Sequence, residues 1–290
     1  MRPPEIIVGI DGSPESERAL VWAANEAARH GAELRVLNVY DWNVVGAPSP
    51  LGASFVTATR TQSEELVAEA VATVHGIVPW VEVRGQAVFG HAAYALVSAS
   101  ANAATIVVGH RGRGSFASLL LGSVSQQVAL HAHAPVVVVR GRPDCEPGPV
   151  VVGVDGSDQS QHALRVGFEE AAIRGAAVIA VRAYNRAGPS YSPDVPGYVE
   201  DPDERRDAER AALAADVAAW AEKYPEIHIT CVAIEGHPGE VLTAQSGPAS
   251  LVVVGSRGHG GFSGLLLGSV GLQLLHHAEC PVLIARSVED

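Results

Sequence analysis

Two glycines three apart, nine intervening residues and then Gly-Ser make a recurring pattern in this chain. Gly109-His110-Arg111-Gly112 and Gly122-Ser123 carry it first; Gly255-Ser256-Arg257-Gly258 and Gly268-Ser269 repeat it with the spacing unchanged. Such a loop suits a phosphate group, which needs backbone N–H groups aimed at it, no Cβ in the way and a helix N-terminus behind. Gly109 and Gly112 let the chain turn and approach closely. Ser123 and Ser269 stand near the start of a following helix and can donate a hydroxyl and an N–H. Arg111 and Arg257 can face phosphate with a guanidinium fork, or face solvent. Glycine is also the ordinary turn residue, but a turn alone gives no reason for the same spacing twice.

Asp11 and Asp155 form a second repeated feature. Each follows an apolar run and precedes Gly-Ser. A carboxylate there can accept from a ribose hydroxyl or an adenine amine, or hold a phosphate-bound cation. It can also satisfy the N–H groups of its own turn.

Other nucleotide motifs fit worse. No G-x-x-x-x-G-K-[ST] occurs, and the one lysine, Lys223, cannot serve both halves. Gly112-x-Gly114-x-x-Ala117 matches a dinucleotide fingerprint by letters only. It follows the fourth strand rather than the first, its copy fails at Ser263, and no acid stands at the required distance. Gly90-His91 and Gly236-His237 resemble part of a nucleotidyl-transferase histidine signature whose first His is missing, and they read as helix-opening turns. The 12 histidines show no HxxxH or HExxH spacing, so no metal site is expected. His131, His133, His276 and His277 close helices, where a cation suits the dipole.

The elements that must position these residues come as one unit written twice. Ile6-Ile7-Val8-Gly9-Ile10-Asp11-Gly12-Ser13 returns 144 residues later as Val150-Val151-Val152-Gly153-Val154-Asp155-Gly156-Ser157, and 107–140 returns as 253–286 with 19 of 34 positions identical. A domain-sized period means tandem duplication, not a solenoid. We place the domains at 1–142 and 148–290, joined by a Pro/Gly-rich linker over 141–149.

The first half reads as strand 5–10, helix 14–30, strand 33–40, helix 61–75, strand 80–88, helix 91–101, strand 105–109, helix 118–132 and strand 136–139, with a loop over 46–60. The second half repeats this, with its long loop over 185–202. Ser13 before Pro14, with Glu15 and Glu17 following, is a helix start; Gly31 is a helix end. Five strands alternating with helices predict an α/β fold: two Rossmann-like domains, each a five-stranded parallel sheet with helices on both faces. Ligands of such sheets bind beyond the strand C-termini at the switch point, where the repeated glycines fall.

Composition narrows the classes. Hydrophobic residues are 47% and aromatics 5%, so Val, Ala, Leu and Ile must build the core. Net charge is −12; residues 1–145 carry 12 acids against 10 bases and 146–290 carry 20 against 10. With no long basic run, a nucleic-acid partner is not expected. Cys145, Cys231 and Cys280 share no CxxC pairing, which fits a reducing compartment. Apolar stretches fall short of the ~18 residues a membrane span needs, and the N-terminus reads directly into a strand. A cytoplasmic location is expected.

These features, V-G-[IV]-D-G-S on the first strand and G-2x-G-9x-G-S after the fourth, resemble the universal stress protein family in its tandem form and its ATP-binding branch. The resemblance implies a cytosolic stress-response role, ATP with Mg²⁺ as ligand, and homodimerisation. It places adenosine against Ile10, Asp11 and Val39, and phosphates against Gly109, Gly112, Gly122 and Ser123 with Val124 alongside. The matching second set is Val154, Asp155, Ala183, Gly255, Gly258, Gly268, Ser269 and Val270.

Two functions follow from this. One is a nucleotide-dependent regulator with one ATP site per domain. The other is an enzyme, such as a pyrophosphatase or slow ATPase. The S-G-G-x-D-S loop of pyrophosphatases is missing after strand one, and no activated nucleophile or repeated acid–base pair appears. No catalytic residue is therefore assigned. A cyclic-AMP-binding regulator is the remaining variant; the long glycine loop favours a triphosphate.

Overall fold

The computed structural model describes residues 3–41, 52–113, 120–142, 148–185, 201–259 and 266–286. Most of the two long connections, most of the linker with Cys145, and Gly114, Ala117 and Ser263 lie outside the described residues. Two compact units emerge: Met1–Pro143 together with Arg286–Asp290, and Asp144–Ala285.

In the first unit β1 (Glu5–Ile10), α1 (Pro14–His30), β2 (Glu33–Tyr40), α2 (Gly52–Ile77), β3 (Val83–Phe89), α3 (Ala92–Ser100), β4 (Thr105–Gly109), α4 (Ser123–His131) and β5 (Val136–Val139) alternate. The strands lie in the order β3-β2-β1-β4-β5 and each neighbouring pair is parallel. The apolar runs become strands because both sheet faces are covered, as α/β sheets require. Ile7, Val8, Ile106, Val107 and Val136 are fully buried. Helix α1 turns a stripe of small residues, Ala19, Ala23, Ala24 and Ala27, into the core at 0% exposure, which lets it lie close on the sheet. Ser13 caps it by accepting from the Ser16 N–H at 3.2 Å, and Gly31 ends it at φ 58°.

The second unit repeats the plan with β6 (Val150–Gly153), α5 (Asp158–Arg174), β7 (Val178–Tyr184), α6 (Pro202–Lys223), β8 (Ile229–Glu235), α7 (Pro238–Gln245), β9 (Leu251–Gly255), α8 (Ser269–His277) and β10 (Val282–Ala285). Its strands lie in the parallel order β8-β7-β6-β9-β10. Phe168 of α5 is fully buried and stacks with Trp220 and Tyr224, centroids 6.3 and 5.8 Å away. In each unit the strand order reverses between the first and fourth strands, which opens a crevice at their C-terminal ends.

Three element starts differ by three residues or more from the sequence reading. Helix α2 starts at Gly52, within the expected loop 46–60, because its partly buried stripe through Ser63, Val67, Ala70 and Val74 extends back to Thr59 and Val56. Strand β3 starts at Val83, not 80. Val78 and Val81 are apolar as anchors of a turn closed by the Val81 N–H to the Val78 carbonyl at 3.1 Å, and Trp80 is exposed. Helix α4 starts at Ser123, not 118; Gly122 is its N-cap, and Leu121 is buried ahead of the helix rather than on it. Among the described residues no helix is long and apolar enough to cross a membrane.

Candidate functional site

Each unit carries a cavity at its crevice, about 260 Å³ in the first and about 420 Å³ in the second. The nine positions singled out in the first half, Ile10, Asp11, Val39, Gly109, Arg111, Gly112, Gly122, Ser123 and Val124, all line the first cavity. Their nine counterparts, Val154, Asp155, Ala183, Gly255, Arg257, Gly258, Gly268, Ser269 and Val270, all line the second. Sequence reasoning missed the apolar walls: Leu37, Leu96 and Val108 in one, Val181, Leu242 and Val254 in the other. It also missed Ser16 and Ser160. Both kinds carry a signal, since each pair recurs at the repeat offset.

The turn after the first strand is held by its aspartate. Asp11 Oδ1 accepts from the Ser13 N–H at 3.0 Å and the Ser13 hydroxyl at 2.6 Å; Asp155 does the same with Ser157 at the same distances. Gly12 and Gly156 carry the positive φ, 75° and 87°, that this turn requires. The other carboxylate oxygen reaches across the crevice. Burial alone would raise the Asp11 carboxyl. The Ser13 hydroxyl, the backbone N–H groups of Arg113 and Ser13 and the Ser16 hydroxyl outweigh it, and hold the group below its ordinary 3.8. Asp155 is lowered by the matching set.

Packing, as well as the expected approach of a phosphate, requires glycine at several of these positions. A Cβ on Gly112 would strike Asp11 Oδ2, and one on Gly258 would strike Asp155 Oδ2. A Cβ on Gly109 would lie 2.7 Å from the Glu15 carbonyl oxygen, and one on Gly255 2.8 Å from that of Gln159. These four glycines therefore let the loop after the fourth strand close onto the turn and helix that follow the first. Gly122 and Gly268 differ: their nearest foreign atoms would be 3.3 and 3.6 Å away.

Gly122 and Gly268 are the N-caps of α4 and α8, and neither helix has a side-chain cap. By contrast Ser13 and Ser157 cap α1 and α5. The first N–H groups of α4 and α8, on Ser123-Val124 and Ser269-Val270, belong to cavity-lining residues. An uncapped helix start offers orphan N–H donors and the positive end of the helix dipole, which suit an anion. Arg111 adds a guanidinium on the first cavity wall, paired with Glu15 at 3.4 Å. The neighbouring His110 is held below its ordinary 6.5 by burial, then by Arg111 and Arg140, so it is neutral at neutral pH.

His91 and His237 open α3 and α7 as N-caps, without a side-chain cap bond, and His91 Nδ1 lies 3.1 Å from Asp41. Among the described residues neither cavity gathers three His, Cys, Asp or Glu side chains. Cys231 is half-buried, and Cys280 is buried with its Sγ 3.5 Å from the Pro281 carbonyl oxygen.

Comparison with known proteins agrees along the whole length. The profile of the universal stress protein family matches residues 4–140 and again 148–286. A universal stress protein of Mycolicibacterium smegmatis is 35% identical over 292 residues, covering 97% of this chain and 96% of the relative. One of Mycobacterium tuberculosis is 36% identical over 289 residues, with the same coverage of both chains. The crystal structure of a universal stress protein from Archaeoglobus fulgidus superposes with a TM-score of 0.72 at 19% identity, covering 99% of each chain, and shares the fold. With the family profile matched in both halves and full-length relatives above a third identity, this chain belongs to the universal stress protein family, in tandem form.

Proposed function

We propose that each half of this protein binds one ATP, and that the protein is a nucleotide-dependent regulator of a stress response rather than an enzyme. The observation that carries this reading is the placement of the α4 and α8 N-termini, which have no side-chain cap and follow the repeated glycine loop at each crevice. The apolar residues Ile10, Leu37 and Val39 suit the nucleoside, and the donors of Arg111, Ser123 and Val124 suit phosphates. The second cavity offers the same division.

Mg²⁺ fits this arrangement as a companion of the phosphates. It keeps several waters and takes one or two carboxylates. Asp11 and Asp155 are the carboxylates on the two walls and would be the groups to hold it. Both already accept from their own turn, so the phosphates would be its main ligands.

The experiment is mass spectrometry of ligand released from acid-denatured protein, followed by equilibrium titration. ATP released, and saturation near two per chain, is the expected result. Release of cyclic AMP, or no nucleotide at all, would overturn the reading. We also propose a cytoplasmic homodimer. Light scattering should then give twice 30.1 kDa, about 60 kDa.

A further inference from the structure

Helices α1 and α5 open alike, and the third residue of each is a buried serine, Ser16 and Ser160, both 4% exposed. Each is bonded twice to the N-cap serine before it. Ser13 Oγ accepts from the Ser16 N–H at 3.2 Å, and the Ser16 hydroxyl donates to the Ser13 carbonyl at 2.9 Å. Ser157 and Ser160 repeat this at 3.2 and 2.8 Å. The same hydroxyl oxygen accepts a backbone N–H of the preceding turn: that of Asp11 at 3.3 Å in the first unit, that of Gly156 at 3.1 Å in the second. A capping box uses Glu or Gln at this third position, reaching back to the N-cap N–H. Here Asp11 and Asp155 already take the N-cap N–H, and the serines line the two cavities. A short hydroxyl satisfies the N–H that remains and leaves the cavity open, where a longer side chain would fill it.

We propose that Ser16 and Ser160 are positioning residues of the two sites: each hydroxyl locks the turn after the first strand, so that the aspartate of that turn stays aimed at the loop after the fourth. This rests on the reading of both cavities as nucleotide sites. A serine hydroxyl has one donor, spent here on a carbonyl of the cap, and one of its lone pairs holds a backbone N–H of the turn. It therefore acts through the turn. The same hydroxyl is among the groups that hold Asp11 and Asp155 below the ordinary carboxyl value. Charged groups also stand around each turn. In the first unit they are Arg111 with its partner Glu15, and Arg113, whose guanidinium lies over Gly12. In the second, Arg182 with Asp216 and Glu209, together with His259, gather near Gly156, and Arg257 lies on the cavity wall. A serine-to-alanine change removes none of them, so a shift of the carboxyl reports the hydroxyl.

The test pairs ATP titration of the full chain with NMR titration of its aspartate carboxyl carbons in the ligand-free chain, in wild type, Ser16→Ala and Ser160→Ala. Asp11→Asn and Asp155→Asn assign the two carboxyl signals. Ser16→Ala should weaken one ATP step on the order of five-fold, the scale of one net hydrogen bond, and raise the Asp11 carboxyl toward its ordinary value. The Asp155 signal should stay in place, which guards against a general loss of structure. Ser160→Ala should move Asp155 and leave Asp11. Weaker ATP binding with an unmoved carboxyl would overturn the proposal, since the serine would then act on the ligand directly. A raised carboxyl with unchanged ATP binding would overturn the link between turn and site. If wild type binds no ATP the nucleotide reading fails, and the carboxyl titration, which needs no ligand, still decides whether the serines hold the turns.

Discussion

The Asp11 carboxylate accepts a hydrogen bond from the backbone N–H of Arg113 at 2.7 Å, and so fastens the turn after β1 to the loop after β4. Asp155 and His259 repeat the tie at 2.8 Å. The two loops that form each crevice thus share one carboxylate. Each unit also sets a guanidinium against the glycine of its turn, by different routes. Arg113 lies over Gly12 from the loop. In the second unit, where His259 replaces it, Arg182 reaches Gly156 from β7, anchored to Asp216 at 2.7 Å.

That tie should make the crevice acid-sensitive. Both aspartates are lowered in the folded chain. Their contribution is therefore fully present above the unfolded carboxyl value of 3.8 and is lost as pH falls through the lower folded value. Asp11→Asn keeps the shape, but replaces one acceptor oxygen with an NH2 donor and removes the charge from the acceptor that remains. Calorimetric melting should show a loss of about 1 kcal/mol at pH 7 for this partly exposed group, with the gap to wild type closing below the folded value. A gap that stays constant into strong acid would show that the carboxylate charge is not what holds the loops.

Gly112 should tolerate no Cβ even without ligand, because the Cβ would meet Asp11 Oδ2. Gly112→Ala should cost about 1–3 kcal/mol, as overpacking does. Removing the obstacle should recover part of it: Asp11→Ala combined with Gly112→Ala should be less damaging than the sum of the two. Thermal melts of the four proteins close the cycle, and strict additivity would contradict the contact.

The sequence alone revealed the repeat, the sheet and the loop residues, because glycine spacing and apolar runs are local signals. It did not reveal why Gly109 and Gly112 are glycines. The atoms they must avoid, the Glu15 carbonyl and the Asp11 carboxylate, lie about a hundred positions away in the chain and meet them only through the pairing of β1 with β4. The cavity walls were missed for a related reason: Leu37 and Leu96 read as core, and only the switch point turns them toward a crevice. The start of α4 was misplaced because Leu119-Leu120-Leu121 continues the apolar pattern straight into the helix, whereas Gly122 interrupts it in an extended conformation.

Gly268 offers a cleaner test of the proposed phosphate site than Gly112, since its added Cβ would meet only ordinary contacts at 3.6 Å and its φ is −71°. Aspartate is among the best N-cap residues. Gly268→Asp should leave stability unchanged or raise it by a few tenths of a kcal/mol. The same carboxylate occupies the donors and repels phosphate, so ATP stoichiometry should fall from two toward one. Two ATP still bound per chain would remove α8 from the phosphate site.

Hydrolysis of bound ATP should be slow. A hydrolase must position a water, accept its proton and stabilise charge on the transferring phosphoryl group. Among the described residues lining the cavities, Asp11 and Asp155 are the carboxylates and there is no lysine. Both aspartates are engaged by their turns and lie below the ordinary carboxyl value, which makes them weak bases for water. Arg111 shares its charge with Glu15. Typical enzymes turn over at about 1–10³ s⁻¹, and the rate here should lie at least ~10²-fold below the low end of that range. Single-turnover assays with Mg²⁺ and purified protein measure it directly. A rate above about 1 s⁻¹ that disappears in an Asp11→Ala, Asp155→Ala double variant, with ATP still bound, would make the protein an ATPase and the aspartates its catalytic groups.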